Sequence, residues 1–232
     1  MDLFYDYDSI SEIYDELMQF IPYKEWAKYV NELFFKHSGR GCRMVDLGGG
    51  TGNLSIPMSD MGFDSVIVDK SQKMLMEAQK KIMGRNVYAV CSDIRNVSFN
   101  KKFDLAVCMY DTVNHLDEKD IIPFFINAFD LLKEDGIFMF DFNTDFGLNA
   151  FASHIQYRDG SDFKSMWNTS YNEKTKVCTL DLTVTDKEGE KRILFQERAL
   201  DLEEMSFAIS NSGFREKHLY HFLTTNGLKR TS

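Results

Sequence analysis

The fold is decided by residues 44–53, which read Met-Val-Asp-Leu-Gly-Gly-Gly-Thr-Gly-Asn. A short apolar run followed by four glycines within five positions predicts a buried strand, a tight turn and the start of a helix. Because glycine has no side chain, the backbone of such a turn can approach a ligand closely. The stretch therefore predicts a turn that binds a nucleotide-like cofactor.

A carboxylate at the end of the next apolar run supports this interpretation. Residues 65–68 predict a second buried strand that stops at Asp69, 19 positions after Gly50, which is the spacing at which a carboxylate binds ribose hydroxyls. A dinucleotide-binding turn reads Gly-x-Gly-x-x-Gly, but its third glycine position is occupied here by Asn53. Residues 46–52 instead read Asp-x-Gly-x-Gly-x-Gly. The alternative is an ordinary glycine-rich turn in another α/β protein.

The Asp-x-Gly-x-Gly-x-Gly spacing resembles the first motif of the class I S-adenosylmethionine-dependent methyltransferases, in which the acidic residue and the glycine backbone hold the amino-acid end of the cofactor. Residues 14–18 (Tyr-Asp-Glu-Leu-Met), with Pro22, Tyr23 and Trp26, are similar to the N-terminal signature of a small bacterial group of these enzymes. In that group the N-terminal region folds over the cofactor, and an antiparallel insertion follows the fifth strand.

The resemblance implies that S-adenosylmethionine is the cofactor. It assigns Asp93 to the adenine amino group and the Ile94 backbone to the ring edge. The spacing after Gly50 assigns Asp69 to the ribose, and Met74, in the first turn of the next helix, is placed either against the adenine ring or in the core. The complete set of cofactor contacts that we predict is Tyr7, Tyr14, Trp26, Asp46, Gly48, Gly50, Asn53, Asp69, Lys70, Met74, Asp93, Ile94, Met109 and Asp111.

Alternating apolar runs and helical patterns predict an α/β fold: a doubly wound, mostly parallel Rossmann-like sheet. Ser9-x-x-Glu12 predicts a capping box that opens a helix running to about Phe20. Between residues 163 and 197 the period changes to two, which predicts three strands of a small antiparallel β cap. We assign residues 1–150 and 200–232 to the core and residues 151–199 to the cap. The alternatives for the cap are an edge extension or a homodimer interface.

The C-terminal region predicts a helix over residues 202–212 and a strand from Phe214 to Leu223. The class I fold normally ends in a hairpin of two strands, whereas residues 224–232 are polar and contain one strongly apolar residue, Leu228. The sequence therefore predicts that the usual last strand is missing.

Candidate catalytic residues follow the fourth predicted strand, where residues 110–115 read Tyr-Asp-Thr-Val-Asn-His. This is the carboxyl edge at which open α/β sheets bind ligands. Methyl transfer from a sulfonium requires alignment of the nucleophile and sometimes removal of its proton, so Tyr110, Asn114 and His115 are only candidates. Asp111 and Asn114 are expected to contact the cofactor or the loop backbone. We expect a small acceptor enclosed between this loop and the meander over about residues 154–199.

Composition limits the partners. Acidic residues outnumber basic ones by 36 to 27 and no Lys/Arg run exceeds two residues, so the chain lacks the basic surface of nucleic-acid-binding proteins. No 18-residue apolar segment and no signal peptide occur in the sequence, which predicts a cytoplasmic protein that does not enter membranes. The four cysteines are widely spaced, which predicts buried reduced thiols and no metal site. The functional alternatives are a non-catalytic S-adenosylmethionine-binding or interaction protein, a nicotinamide-dependent dehydrogenase and a nucleic-acid methyltransferase.

Overall fold

A parallel sheet forms the centre of the protein. The computed structural model describes residue 3, residues 5–152 and residues 155–220. The strands of the central sheet are β1 Arg43–Leu47, β2 Asp64–Asp69, β3 Val87–Cys91, β4 Phe103–Cys108 and β5 Leu132–Phe140. They pair in parallel in the order β3-β2-β1-β4-β5. From β1 the chain adds β2 and β3 on one side of the sheet and then β4 and β5 on the other side. Open α/β sheets bind ligands at the point where the strand order reverses in this way.

Helices cover both faces of this sheet, so the predicted doubly wound fold is confirmed. The helices are α1 Tyr14–Leu17, α2 Tyr23–Lys36, α3 Ser55–Asp60, α4 Gln72–Ile82, α5 Glu118–Leu131, α6 Asp145–Phe151 and α7 Leu202–Ser210. One face packs α2 and α3 against β1 and β4, and the other packs α5 and α7. Trp26, Val30 and Phe34 form the buried stripe of α2, because residues four apart lie on one face of a helix.

A separate antiparallel sheet confirms the predicted β cap but has four strands. They are β6 Ile155–Asp159, β7 Lys164–Asn172, β8 Val177–Asp186 and β9 Gly189–Arg198, in the order β6-β7-β8-β9. The sequence did not predict β6, because its large apolar residues Ile155 and Tyr157 are exposed. The guanidinium of Arg158 stacks 3.9 Å from the Trp167 ring centre. Arg158 therefore makes the ring contact that an apolar residue usually makes, and a charged residue does not indicate a strand in the sequence.

The N-terminal segment lacks the predicted helix from Ser9 to Phe20. Residues 7–9 and 11–13 form two short 3-10 turns, and α1 has four residues. The carboxylate of Asp6 accepts the backbone N–H of Ser9 at 3.1 Å and also its hydroxyl, so Ser9 does not cap a helix with Glu12. Ile10 and Leu17 instead pack with the inner face of the antiparallel sheet.

The strand predicted from Phe214 to Leu223 does not form over residues 214–219, and Tyr220 makes only an isolated bridge. The Phe214 ring stacks 5.8 Å from the Phe138 ring, while residues 215–219 are exposed. The contact of the Phe214 ring therefore holds the start of this segment in place, while the residues after it have no buried face of the kind that a strand in a sheet would have. Residues 221–232 lie outside the described residues, and with them the prediction of a missing last strand.

Other predictions concern cysteines and membranes. Cys108 and Cys178 are buried free thiols, as predicted, but Cys42 and Cys91 are exposed. Cys42 precedes β1 and Cys91 is the last residue of the edge strand β3, so neither is covered. Within the described ranges, no helix is long and apolar enough to cross a membrane.

Candidate active site

A cavity of about 350 Å³ lies at the carboxyl ends of β1, β2 and β4. Its volume falls in the range of roughly 300–1,000 Å³ that is usual for small-molecule sites. The structure brings most of the predicted residues together in its wall: Tyr7, Tyr14, Asp46, Gly48, Gly50, Asn53, Asp69, Lys70, Met74, Asp93, Ile94, Met109, Tyr110 and His115.

The glycine turn is fixed by its backbone. Gly48 has a φ of +79°, and its N–H donates to the carbonyl oxygen of Val68 at 2.8 Å. A Cβ at this position would lie 2.5 Å from Cγ2 of Thr112. Both the left-handed backbone and the close side chain therefore require glycine here. The turn therefore lies against the loop after β4.

Asp69 is oriented by two backbone amides. Its Oδ2 accepts the N–H of Gly50 at 2.9 Å, and its Oδ1 accepts the N–H of Ser71 at 2.8 Å. Burial raises the pKa of Asp69, and these two amides oppose the shift. Because an ionised carboxylate has about four acceptor positions, both oxygens can also accept a ribose hydroxyl. The geometry fits the predicted ribose contact.

Asp46 lies beneath the same turn. It is only 2% exposed, and its Oδ2 accepts the Ser55 hydroxyl at 2.7 Å. Burial raises the pKa of Asp46 to about 7, since no ion pair in the described part of the chain includes it. The ammonium group of S-adenosylmethionine would supply a positive charge that favours the ionised form. The site fits the amino-acid end of this cofactor.

The roof of the cavity comes from the N-terminal segment. The hydroxyl of Tyr7 lies 3.0 Å from Nε2 of His115, and Nδ1 of His115 lies 3.0 Å from the carbonyl oxygen of Gln196. Since a carbonyl only accepts, we assign the hydrogen to Nδ1, so that Nε2 accepts the Tyr7 hydroxyl. Burial lowers the pKa of His115 to about 4 and raises the pKa of Tyr7 well above its usual value. Both groups are therefore neutral near pH 7.

The hydrogen bonds of Asn114 favour a structural role over the predicted catalytic one. It is fully buried, and its Nδ2 donates to the carbonyl oxygens of Asn143 and Arg198, each at 2.8 Å. Its Oδ1 accepts the Asn143 N–H at 2.9 Å. These bonds occupy the whole side chain and join the loop after β4 to the ends of β5 and β9. The expectation that Asn114 contacts backbone is confirmed.

Two predicted cofactor residues do not line the cavity. Trp26 is buried behind it, with its ring centre 5.3 Å from that of Tyr110. Asp111 lies instead beside Glu197 and Asn143, where burial and the charge of Glu197 raise the pKa of Asp111 to about 7. A helix stripe and a strand end can predict that these residues approach the site, but neither gives the direction of the side chain.

Residues outside the predicted set also line the cavity: Leu3, Tyr5, Tyr23, Gly49, Thr51, Leu54, Arg95, Thr112, Leu116, Asp117 and Asp120. Tyr23 and Thr51 lie inside the motifs quoted from the sequence, so their positions could have been noted. Arg95 binds both carboxylate oxygens of Asp93, two residues before it. Its Nη1 also donates to Oδ2 of Asp120 at 2.6 Å, a tertiary contact with no sequence signal. The adenine role of Asp93 stays a prediction.

Among the described residues, none from 151–199 lines the cavity. The antiparallel sheet packs on the N-terminal segment, and that segment covers the site. The described residues of the meander therefore contact the covering segment and do not line this cavity themselves. In the described ranges, no group of three or more His, Cys, Asp and Glu side chains is placed to hold a metal ion.

The sheet order, the glycine turn and the Asp69 carboxylate at the end of β2 together define the class I methyltransferase fold. A family model described as "Methyltransferase domain" matches residues 44–136. The chain is 30% identical over 217 residues to "Putative methyltransferase YqeM" of Bacillus subtilis (strain 168), covering 90% of this chain and 86% of that protein. This chain belongs to the S-adenosylmethionine-dependent methyltransferase family, and S-adenosylmethionine is its cofactor.

Solved structures agree with this assignment. An S-adenosylmethionine-dependent methyltransferase from Clostridium acetobutylicum ATCC 824 matches with a TM-score of 0.80 and 26% identity, covering 97% of this chain and 95% of that one. CalS10, an amino pentose methyltransferase from Micromonospora echinaspora with S-adenosylmethionine bound, has the same fold with a TM-score of 0.75 and 16% identity, covering 98% and 96% of the two chains.

Proposed function

We propose that this protein transfers the methyl group of S-adenosylmethionine to a small-molecule acceptor held in the cavity beneath the N-terminal segment. The observation that carries the proposal is the Tyr7–His115 hydrogen bond, which joins this segment to the loop after β4. The cavity beneath this roof, which also takes the cofactor, has a volume of about 350 Å³. Such a space suits a small acceptor and excludes a folded nucleic acid.

When bound, the cofactor supplies an already activated methyl group, so the protein mainly has to align the acceptor. His115 is a poor base for this reaction, because both of its nitrogens are occupied and its pKa is lowered to about 4. We assign to it the positioning of Tyr7. Tyr110 lines the cavity, and its hydroxyl is buried without a hydrogen-bond partner in the described part of the chain. We therefore propose that Tyr110 contacts the acceptor.

The charge around the roof supports a neutral or cationic acceptor. Burial raises the pKa of Tyr7, and the nearby carboxylates of Glu197, Asp111 and Asp69 raise it further. The same negative potential disfavours an acceptor that carries a carboxylate or phosphate group. An amine meets this requirement, and the relative CalS10 is an amino pentose methyltransferase.

The test is formation of S-adenosylhomocysteine from S-adenosylmethionine in the presence of metabolite pools, with tRNA and DNA in parallel reactions. We expect turnover with a basic metabolite fraction. Tyr110→Phe should lower this turnover at least tenfold, about 1.4 kcal/mol of transition-state stabilisation, while cofactor affinity is retained. Tyr157→Phe is the matched control, because Tyr157 is 74% exposed. The proposal is contradicted if only nucleic acid supports turnover. It is also contradicted if none of the metabolite fractions supports turnover.

A further inference from the structure

A carboxylate from the N-terminal segment is bonded to the glycine turn. We call residues 5–17 the lid. Oδ1 of Asp15, in α1, accepts the hydroxyl of Thr51 at 2.6 Å and the Nδ2 of Asn53 at 2.9 Å. Oδ2 of Asp15 pairs with Nζ of Lys81 at 2.5 Å. Lys81 also donates to Oδ1 of Asn53 at 2.8 Å. These four side chains form one closed network.

The network joins the lid to residues that line the cofactor cavity. Thr51 and Asn53 flank Gly52 in the turn and are both lining residues, while Lys81 lies in the last turn of α4. Burial tends to raise the pKa of Asp15, but its bonds with Lys81, Thr51 and Asn53 outweigh burial and lower the pKa. The carboxylate is therefore ionised at neutral pH, and its bonds to the turn are charge-assisted.

An ordinary ion pair on the same helix shows what is particular about Asp15. Lys80 and Glu77 pair at 2.6 Å within α4, with Lys80 65% exposed, and this pair joins two neighbouring turns of one helix. Asp15 instead joins three elements that are separate in sequence: the lid, the glycine turn and α4. Of these two ion pairs, only the one at Asp15 belongs to a network that includes both the lid and residues of the cavity wall.

We propose that Asp15 is a positioning residue that couples closure of the lid to the geometry of the cofactor turn. When the lid is closed, Asp15 holds the side chains of Thr51 and Asn53 in their positions in the cavity wall. The cofactor dissociates only after the bonds of this network have broken. By thermodynamic linkage the effect is reciprocal, so that bound cofactor also holds the lid down. The inference rests on the cofactor and does not depend on the identity of the acceptor.

The experiment measures release of S-adenosylhomocysteine from the full chain by stopped-flow fluorescence, without any acceptor. Asp15→Ala removes the charge-assisted bonds, and we expect the dissociation rate to rise about tenfold. Asp15→Asn keeps an acceptor for Thr51 but loses the charge, so its rate should lie between those of Asp15→Ala and the parent. Glu77→Ala is the matched control and should release the product at the parent rate.

Hydrogen exchange of the lid at saturating S-adenosylhomocysteine is the second measurement. In the parent the product should slow exchange over residues 5–17, and in Asp15→Ala this protection should be lost although the site is filled. Lys81→Met tests the same network from α4 if Asp15→Ala does not fold. Release within twofold of the parent overturns the proposal. Faster release with unchanged lid protection also overturns it, because Asp15 would then act on the cofactor without the lid.

Discussion

The cavity has a floor and a roof that are held in different ways. The floor, residues 46–53 and 68–71, is fixed by backbone hydrogen bonds of a buried parallel sheet, such as Gly48 to Val68. The lid is fixed by side chains: Tyr7 on His115, Asp15 on the glycine turn and Asp8 on Ser71. A neutral hydrogen bond such as Tyr7–His115 contributes about 0.5–1.5 kcal/mol, and a bond to a charged group such as the Asp15 carboxylate contributes about 1.5–3 kcal/mol. The fold therefore prebuilds the floor, while the closed lid depends on these side-chain bonds and on the packing of Ile10 and Leu17 against the antiparallel sheet.

The largest effect is expected from the floor. Gly48→Ala places a Cβ 2.5 Å from Thr112 at a φ of +79°, and we expect a loss of about 2–4 kcal/mol in the free energy of unfolding. Gly62→Ala is the control, because Gly62 has a φ of +99° with nothing within 4 Å of the added carbon. Its cost should be about 1–2 kcal/mol of backbone strain. Equal losses in urea unfolding would show that Thr112 does not contribute.

The next effect concerns the floor as a binding surface. Asp69→Ala removes the acceptor that we assign to the ribose hydroxyls, and charge-assisted bonds contribute about 1.5–3 kcal/mol each. We expect affinity for S-adenosylmethionine to fall about 10–100-fold by calorimetry. Asp64→Ala, at the opposite end of β2, is the control. Unchanged affinity in a folded Asp69→Ala protein would remove Asp69 from the site.

The floor was also the part that the sequence predicted well. Glycine positions and apolar runs are local signals, and the start of α4 is also set locally, since the Ser71 hydroxyl oxygen accepts the N–H of Met74. The lid was predicted poorly, because Asp6 competes for Ser9 and removes the capping box. The side-chain directions of Trp26 and Asp111 depend on neighbours distant in sequence, so no local pattern could give them.

A smaller effect is expected from the lid. Tyr7→Phe removes the donor to Nε2 of His115 and leaves that nitrogen buried and unbonded, which should lower the free energy of unfolding by about 1–2 kcal/mol. Turnover should fall as well, while binding of cofactor to the floor persists. Tyr157→Phe, on an exposed ring, is the control for loss of a hydroxyl. A Tyr7→Phe protein as stable as the parent would show that this bond does not fasten the lid.

The smallest effect is a change in stability with pH, and it concerns a carboxyl group behind the lid. The floor carboxylate Asp69 is bonded to two backbone amides, whereas Glu197 lies near other carboxyl groups. Burial and, to a smaller extent, the charge of Asp141 raise the pKa of Glu197 to about 7. The stability that comes from its protonated form is present below the unfolded-state pKa of 4.5 and is lost as pH rises through about 7. Glu197→Gln stays neutral, so it should stabilise the protein by about 1 kcal/mol at pH 8.

The same Glu197→Gln variant should differ little from the parent at pH 5, where Glu197 is protonated in the folded protein. His115 has the opposite sign, because its pKa is lowered to about 4 and its contribution is lost as pH falls from 6.5 towards 4. It is present in both proteins, so its effect cancels in the comparison. Thermal unfolding at the two pH values checks the result, and a Glu197→Gln protein less stable than the parent at pH 8 would contradict it.

The separation of the lid from its partners along the chain has a consequence for biosynthesis. Tyr7 bonds a residue 108 positions later, and the Ser9 carbonyl accepts from Lys191, 182 positions later. At usual elongation rates the ribosome needs roughly 5–20 s to reach His115 after Tyr7. The lid is therefore synthesised well before its partners, and its apolar Ile10 and Leu17 are covered only after β8 and β9 have been synthesised.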